Sequence, residues 1–244
     1  MTAITRSEDH HYTYQGVTYP GVTGILKVLD KSAAMMSWAA KNTAQAALEL
    51  HGSGGLASLV ESVGAEGAIK ALTSRSEWKR DEAAQLGTEV HNLADMVNRG
   101  VPTPSMTETV RDRVLAYAEW WRNSGWSLRL SEAMLVNTVA GYGGTLDLLA
   151  RDRDGRTILA DIKTGKGIYH ETALQLAAYG MAEVIQDQSG NVFNMPEVQR
   201  YVILHVTAGN VREVEVAVGT PEHEAFYACL NLSQWRESMK GKRL

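Results

Sequence analysis

GYGGTLDLLARDRDGRTILADIKTGKGIYHETALQLAAY runs from Gly141 to Tyr179, and its periodicities decide the fold. Leu146, Leu148 and Ala150 alternate with Asp147, Leu149 and Arg151, and Ile158, Ala160 and Ile162 alternate with Leu159, Asp161 and Lys163. Period two in both arms predicts a β-hairpin. A two-residue turn at Asp154-Gly155 would send the two aspartates to opposite faces, because a slip of one residue flips every side chain. A three-residue loop, Arg153-Asp154-Gly155 with Gly155 left-handed, instead sets Leu146 opposite Ile162, Leu148 opposite Ala160 and Ala150 opposite Ile158. One face is then continuously apolar, and the other carries Asp147 across from Asp161 with Lys163 two residues on.

Carboxylates about 5 Å apart at the backbone repel one another. A divalent cation offsets that repulsion, since carboxylate oxygens are the ligands that Mg²⁺ and Mn²⁺ prefer. Lys163 beside it would orient a water or stabilise charge developing on a phosphoryl group. On the hairpin alone, a solvated face with an Asp-Lys salt bridge is an equal reading. Alanine at either aspartate is expected to relieve the repulsion in metal-free protein. In the following helix Gln175 and Tyr179 share one face, while Leu174, Leu176, Ala177 and Met181 pack inward.

Asp147, the Asp161-Ile162-Lys163 triplet and Gln175-x-x-x-Tyr179 together resemble the PD-(D/E)xK nuclease superfamily, in its RecB-like branch. The proline of the superfamily name is absent, and Leu146 precedes the aspartate. The resemblance spans residues 85 to 180, and the N-terminus loosely. It implies an α/β fold, a restriction-endonuclease-like core with a central mixed β-sheet flanked by helices. Residues 1–80 are expected to form an N-terminal hairpin and helical region, and 81–244 the nuclease core.

The activity implied is that of a metal-dependent DNA nuclease, an exonuclease of recombination, repair or replication in a phage or bacterium. The alternatives are a noncatalytic recombination accessory protein, or an RNA or structure-specific endonuclease with the same metal site. Expected partners are DNA ends, single- or double-stranded, and a single-strand annealing or recombination protein.

A lone helical histidine reads first as a capped or surface residue. RecB-like nucleases, however, carry G-x-x-x-H upstream of their aspartates with the histidine on the metal, and Gly87 and His91 match it. The resemblance thus implies His91, Asp147, Asp161 and the backbone carbonyl of Ile162 as ligands of one or two Mg²⁺ or Mn²⁺ ions. Lys163 would position the attacking water, and Gln175 and Tyr179 would contact substrate or brace the site. Asp95, one turn beyond His91, would orient its ring or face water. Glu132 interrupts the apolar series Leu128, Leu130, Met134 and needs a partner there; the family often has a glutamate at this place, which adds it as a further metal ligand.

Hydrophobic residues make up 44% and charged ones 21% of 244, ordinary for a globular protein with a real core. No apolar run approaches a membrane span and no signal-peptide core is seen, so a cytoplasmic protein is expected. A single cysteine, Cys229, excludes a four-cysteine zinc site or iron-sulfur cluster. The net charge of -4 leaves DNA contact to local patches. Arg151, Arg153, Arg156, Lys163 and Lys166 cluster around the hairpin in sequence, with Arg151 and Lys166 as nucleic-acid-binding candidates, and Lys240, Lys242 and Arg243 mark a basic tail.

Upstream, Tyr12–Tyr19 reads as a hairpin around Gln15-Gly16. Thr23 and Ser32 are expected to cap a short and a long helix, and residues 52–73 to form a mobile helical insertion. The run YPGVTGILKVLDKSAAMMSWAAKN is similar to the opening of some RecB-like exonucleases; Trp38 in it reads as core, or as a platform for a stacked base. Ser74-x-x-Glu77 predicts a helix start, with its end at Asn98 before Gly100. Ser105-x-x-Glu108 predicts a second start, with Val110, Val114, Tyr117 and Trp121 on one stripe. After the signature helix, residues 201–206 and 211–218 predict a second hairpin and 221–239 a final helix.

Overall fold

The computed structural model describes residues 3–242. A three-stranded sheet comes first, made of β1 (Thr5–Arg6), β2 (His11–Tyr14) and β3 (Val17–Pro20). Gln15 and Gly16 join β2 to β3 with φ of 51° and 80°, the pair of positive φ values that a tight hairpin turn demands. Then come α1 (Val22–Ile25), a 3-10 turn (Leu26–Val28), α2 (Ser32–Gly52), α3 (Gly55–Asn98) and α4 (Glu108–Ser124). The remaining elements are β4 (Ser127–Asn137), β5 (Tyr142–Arg151), β6 (Thr157–Lys163), α5 (Glu171–Gly180), β7 (Val184–Gln186), β8 (Val192–Asn194), β9 (Arg200–Thr207), β10 (Asn210–Val216) and α6 (Thr220–Ser238).

Seven strands make a mixed sheet in the order β10-β9-β6-β5-β4-β7-β8. β6 and β9 run parallel, joined by a crossover through α5, as parallel neighbours require. The fold is thus α/β with a central mixed sheet flanked by helices and an N-terminal helical region. Leu159 and Ile203 pack with Leu176, Ala178, Phe226 and Leu230 in one core, so α5 and α6 cover that face. Val202, Leu204 and Val206 are also buried and by alternation point the other way, toward the face where α4 packs on β9 and β10. Among the described residues, no helix is long and apolar enough to cross a membrane.

The hairpin has the expected offset. Its ladder runs from Leu148↔Ala160 to Arg151↔Thr157. The Asp152 N–H donates to Arg156 O at 3.1 Å, which leaves Arg153, Asp154 and Gly155 as the loop, with Gly155 at φ 80°. The single continuous apolar face is not observed. Leu146 and Leu149 lie in the same core as Leu159, although strict alternation would separate them.

β4 changes parity at the same level, since Leu130 packs on the core that holds Ala133 and Leu135. The β4–β5 register runs Leu130↔Leu149, Ser131↔Leu148 and Ala133↔Leu146, so Glu132 and Asp147 stand opposite one another at the break. Glu132 has φ 48°, a left-handed conformation that costs a side-chain-bearing residue about 1–2 kcal/mol. Leu128, Leu130, Glu132 and Met134 therefore do not share a face: Met134 packs instead with Ile4, Tyr12 and Tyr14.

The expected helix starts also differ. Ser74 lies inside α3, with its hydroxyl donating to Ala71 O at 3.0 Å; the helix begins at Gly55 and is interrupted at Gly64 (φ 73°, ψ 171°). Asp30 supplies the acceptor for the Ser32 N–H, at 2.8 Å, and Thr107 rather than Ser105 precedes α4. The compact units are Asp30–Thr88 on one hand, and residues up to Leu29 with those from Glu89 onward on the other. The boundary expected near residue 80 thus gives way to a division that assigns the N-terminal hairpin to the sheet. The reason is packing: Gly21 bridges to Gly143, and Gln186 Nε2 donates to Ile4 O at 3.0 Å.

Two adjacent glycines allow this packing. A Cβ at Gly143 would stand 2.6 Å from Tyr12 Cβ, and one at Gly144 would stand 2.5 Å from the Tyr179 ring. Tyrosines thus press on β5 from both faces. Gly144→Ala is expected to destabilise the protein by about 1–3 kcal/mol, as overpacking does, read as a lowered urea midpoint with an unchanged m-value.

Candidate metal centre

Asp147 is the meeting point. It sits on β5, the middle strand of the central sheet, with its side chain 11% exposed. Its Oδ2 accepts the Ile162 N–H at 2.7 Å, so the carboxylate replaces the next rung of the ladder and the backbone pairing stops one residue short of it. His91 reaches the same oxygen from α3, with Nδ1 at 3.4 Å. The ligand atoms of His91, Glu132 and Asp147 all lie within 4.8 Å of one another. An octahedral ion with bonds of about 2.1 Å holds neighbouring ligands about 3 Å and opposing ones about 4 Å apart, so the group fits a small divalent cation.

Asp161 is buried, and neither of its oxygens has a hydrogen bond of good geometry. Lys163 Nζ stands 2.7 Å from its Oδ2 as an ion pair. Oδ2 thus has the ammonium as its partner, and Oδ1 is left as a buried oxygen without one, the kind of atom that calls for a further partner; Asp161 is not among the three residues whose ligand atoms converge within 4.8 Å. The same lysine donates to Gln175 Oε1 at 3.4 Å, and Gln175 Nε2 donates to the Tyr179 hydroxyl at 3.0 Å. Asp161, Lys163, Gln175 and Tyr179 thus form one chain from β6 across to α5.

The electrostatics follow from crowding. Burial opposes protonation of His91, but the carboxylates of Asp147, Asp161 and Glu132 outweigh it and raise its pKa to about 9. Burial and Asp147 raise Glu132 to about 7. Asp161 rises to about 6 through burial and Asp147, against the pull of Lys163. Burial also opposes ionisation of Asp147, yet His91, Lys163 and the Ile162 N–H hold it below the usual carboxylate range. For Lys163, the carboxylates of Asp161 and Asp147 outweigh burial and raise the ammonium. Without a metal, the His91 proton offsets part of the carboxylate charge at neutral pH, and protonation of Glu132 and then Asp161 removes more of it as the pH falls through about 7 and about 6.

The remaining candidates are dispersed. Ile162 enters through its N–H rather than through an observed carbonyl contact. Asp95 does not orient the His91 ring; it is engaged by the Ser131 hydroxyl, by Gln188 Nε2 at 3.2 Å and by Arg99. Arg151 is exposed at the far end of β5, four residues and about 13 Å along the strand from Asp147. Arg156 is paired with Asp152 and Asp154, each at 2.8 Å. The basic residues near the hairpin in sequence are therefore split, and Lys166 alone follows Lys163 into the loop before α5, where it is exposed. Trp38 lies on α2 in the other unit, 40% exposed.

Two contributors escaped the sequence. Arg6 on β1 donates to Thr145 Oγ1 at 3.4 Å and lowers the pKa of Glu132 by its charge; nothing in its neighbourhood signalled this. The break at Glu132 is likewise hidden in the sequence, because apolar residues fill both parities after it (Ala133, Met134, Leu135, Val136).

The opposite shifts of the two aspartates separate their expected variants. Asp161 is raised from an ordinary 3.8, so its ionised form costs stability once the pH exceeds about 6. Asp161→Asn is expected to stabilise metal-free protein at pH 8 by about 1–3 kcal/mol, since each pKa unit is worth 1.36 kcal/mol, with the gain vanishing below about pH 4. Asp147 is lowered, so its stabilising contribution is present at pH 7 and is lost as the pH falls through its folded pKa. Asp147→Asn should therefore destabilise. The contribution of His91, full below 6.5, fades as the pH rises through about 9. Thermal melts in EDTA from pH 4 to 9.5 test all three; equal signs for the two asparagine variants would refute this charge assignment.

No family profile matches the chain, and no curated protein matches it. Among solved structures, the crystal structure of SSO0001 aligns over 62% of this chain and 87% of that one, at 15% identity and a TM-score of 0.30, a likeness too distant to bear on function.

Proposed function

We propose that the protein is a Mg²⁺- or Mn²⁺-dependent deoxyribonuclease, an exonuclease that hydrolyses phosphodiester bonds at DNA ends during recombination, repair or replication. The reading is carried by the convergence of His91, Glu132 and Asp147 within 4.8 Å beside a lysine paired to a buried carboxylate. The resemblance of Asp147, Asp161-Ile162-Lys163 and Gln175-x-x-x-Tyr179 to RecB-like nucleases agrees with it.

His91, Glu132 and Asp147 would hold the ion, with Asp161 as the further carboxylate. Such an ion would supply Lewis-acid polarisation of a phosphoryl oxygen and a water more acidic than in bulk. The chain's own groups do the rest. Lys163 stays cationic across neutral pH because its pKa is raised, so its Nζ donates to the attacking water or to a non-bridging phosphoryl oxygen and does not act as a base. Gln175 aims that ammonium through its Oε1, and the Tyr179 hydroxyl fixes which way the amide points. Arg6 and Lys166 supply cations for the flanking phosphates.

The experiment is digestion of end-labelled linear and covalently closed circular DNA, single- and double-stranded, with Mg²⁺, Mn²⁺ or EDTA. Metal-dependent loss of linear DNA alone is expected. Lys163→Ala should slow it by on the order of 10²–10³-fold, the usual effect of deleting one charge-stabilising donor. Cleavage of circles would indicate an endonuclease. DNA binding without any cleavage would instead indicate an accessory protein.

A further inference from the structure

His91 and Glu132 belong to elements that share no backbone hydrogen bonds. One rides the helix α3 and the other the strand β4, so their separation depends on side chains that tie helix to strand. Asp95 follows His91 by one helical turn on the same face of α3, and Ser131 immediately precedes Glu132. The Ser131 hydroxyl donates to Asp95 Oδ1, with both side chains buried (4% and 8% exposed). Gln188, on the turn between β7 and β8, donates through Nε2 both to Asp95 Oδ1 and to Ser131 O, each at 3.2 Å. That turn is itself fixed by Asp187, whose Oδ1 accepts the N–H groups of Ser189 and Asn191 at 2.8 and 2.9 Å. Arg99 occupies the other oxygen of Asp95.

We propose that Asp95, Ser131 and Gln188 form a clamp that sets His91 and Glu132 at their metal-binding separation and holds Glu132 in its left-handed conformation. The second half of the proposal comes from covalent geometry. The Ser131 carbonyl and the Glu132 nitrogen lie in one peptide plane, so anchoring that carbonyl fixes the plane about which the φ of Glu132 is measured. On the other side, the Ala133↔Leu146 pairing fixes the backbone beyond Glu132. A strained conformation persists only where its surroundings over-determine it, and here they do so from both sides. The three clamp residues are positioning residues, and the inference rests on the metal-site reading above.

The test is Mn²⁺ affinity of the full chain, followed by the EPR signal of free Mn²⁺, alongside metal-free thermal melts. Wild type should bind, and His91→Ala should lose binding. Ser131→Ala and Gln188→Ala should weaken binding by about 10–100-fold, the usual range for groups that orient ligands. Asp95→Ala should behave like them, whereas Asp95→Asn, which keeps the acceptor Oδ1, should stay within a few-fold of wild type. Gln188 is exposed, so its truncation leaves the core intact and should barely move the melting midpoint. If His91→Ala abolishes binding but Ser131→Ala and Gln188→Ala bind like wild type, the clamp is overturned and the metal site stands. If His91→Ala binds as well as wild type, or wild type does not bind, the metal reading falls and the clamp with it.

Discussion

The structure depends on keeping Asp147 ionised in a place that is nearly dry and already crowded with carboxylates. An isolated buried charge would be untenable. Asp147 tolerates its position because a histidine, a lysine and a backbone N–H converge on it. The elements that carry them are each held by their own packing, so the charge balance at one side chain constrains α3, β5, β6 and, through Gln175, α5. A cation in the same place would take over the role of the His91 proton and of the protons that Glu132 and Asp161 gain as the pH falls. Acid-base state and metal occupancy are two answers to one electrostatic demand.

The sheet accommodates this centre by breaking its own alternation. β4 and β5 change parity together at Glu132 and Asp147, so the pairing continues unshifted from Ser131↔Leu148 to Ala133↔Leu146 while the side chains at the break leave the apolar core; the register shift in this pair lies further back, between Leu128 and Leu130. The pair of glycines upstream serves the same end: with Tyr12 on one face and Tyr179 on the other, Gly143 and Gly144 let the N-terminal hairpin and α5 approach the strand that carries the aspartate. Tyr179 then has two duties, closing the core against Gly144 and orienting Gln175 at the site.

Much of the fold and of the candidate site is legible in the amino-acid sequence, and the remainder is hidden for a physical reason. The hairpin offset comes from period-two alternation and a glycine that has to be left-handed. The i, i+4 spacing of Gln175 and Tyr179 places both on one helical face. Strand pairing alone makes Asp147 and Asp161 symmetric, because it cannot say which of two facing carboxylates receives the histidine and the N–H. The basic residues around the hairpin resemble one patch because they are close along the chain, yet a strand of four residues is long enough to carry Arg151 well away from the centre.

Local periodicity by itself determined the register of the central hairpin and the helix that supplies Gln175 and Tyr179, because these depend on side-chain spacing within a few residues; the α/β class was implied by the resemblance of the motifs they carry. Only the tertiary structure decided that the N-terminal hairpin joins the sheet domain, that Arg6 comes near Glu132, and that Asp95, Ser131 and Gln188 bind one another. Those contacts join residues tens to more than a hundred positions apart, and no local pattern encodes them. They arise when two faces of one sheet are covered and a strand breaks its alternation between them.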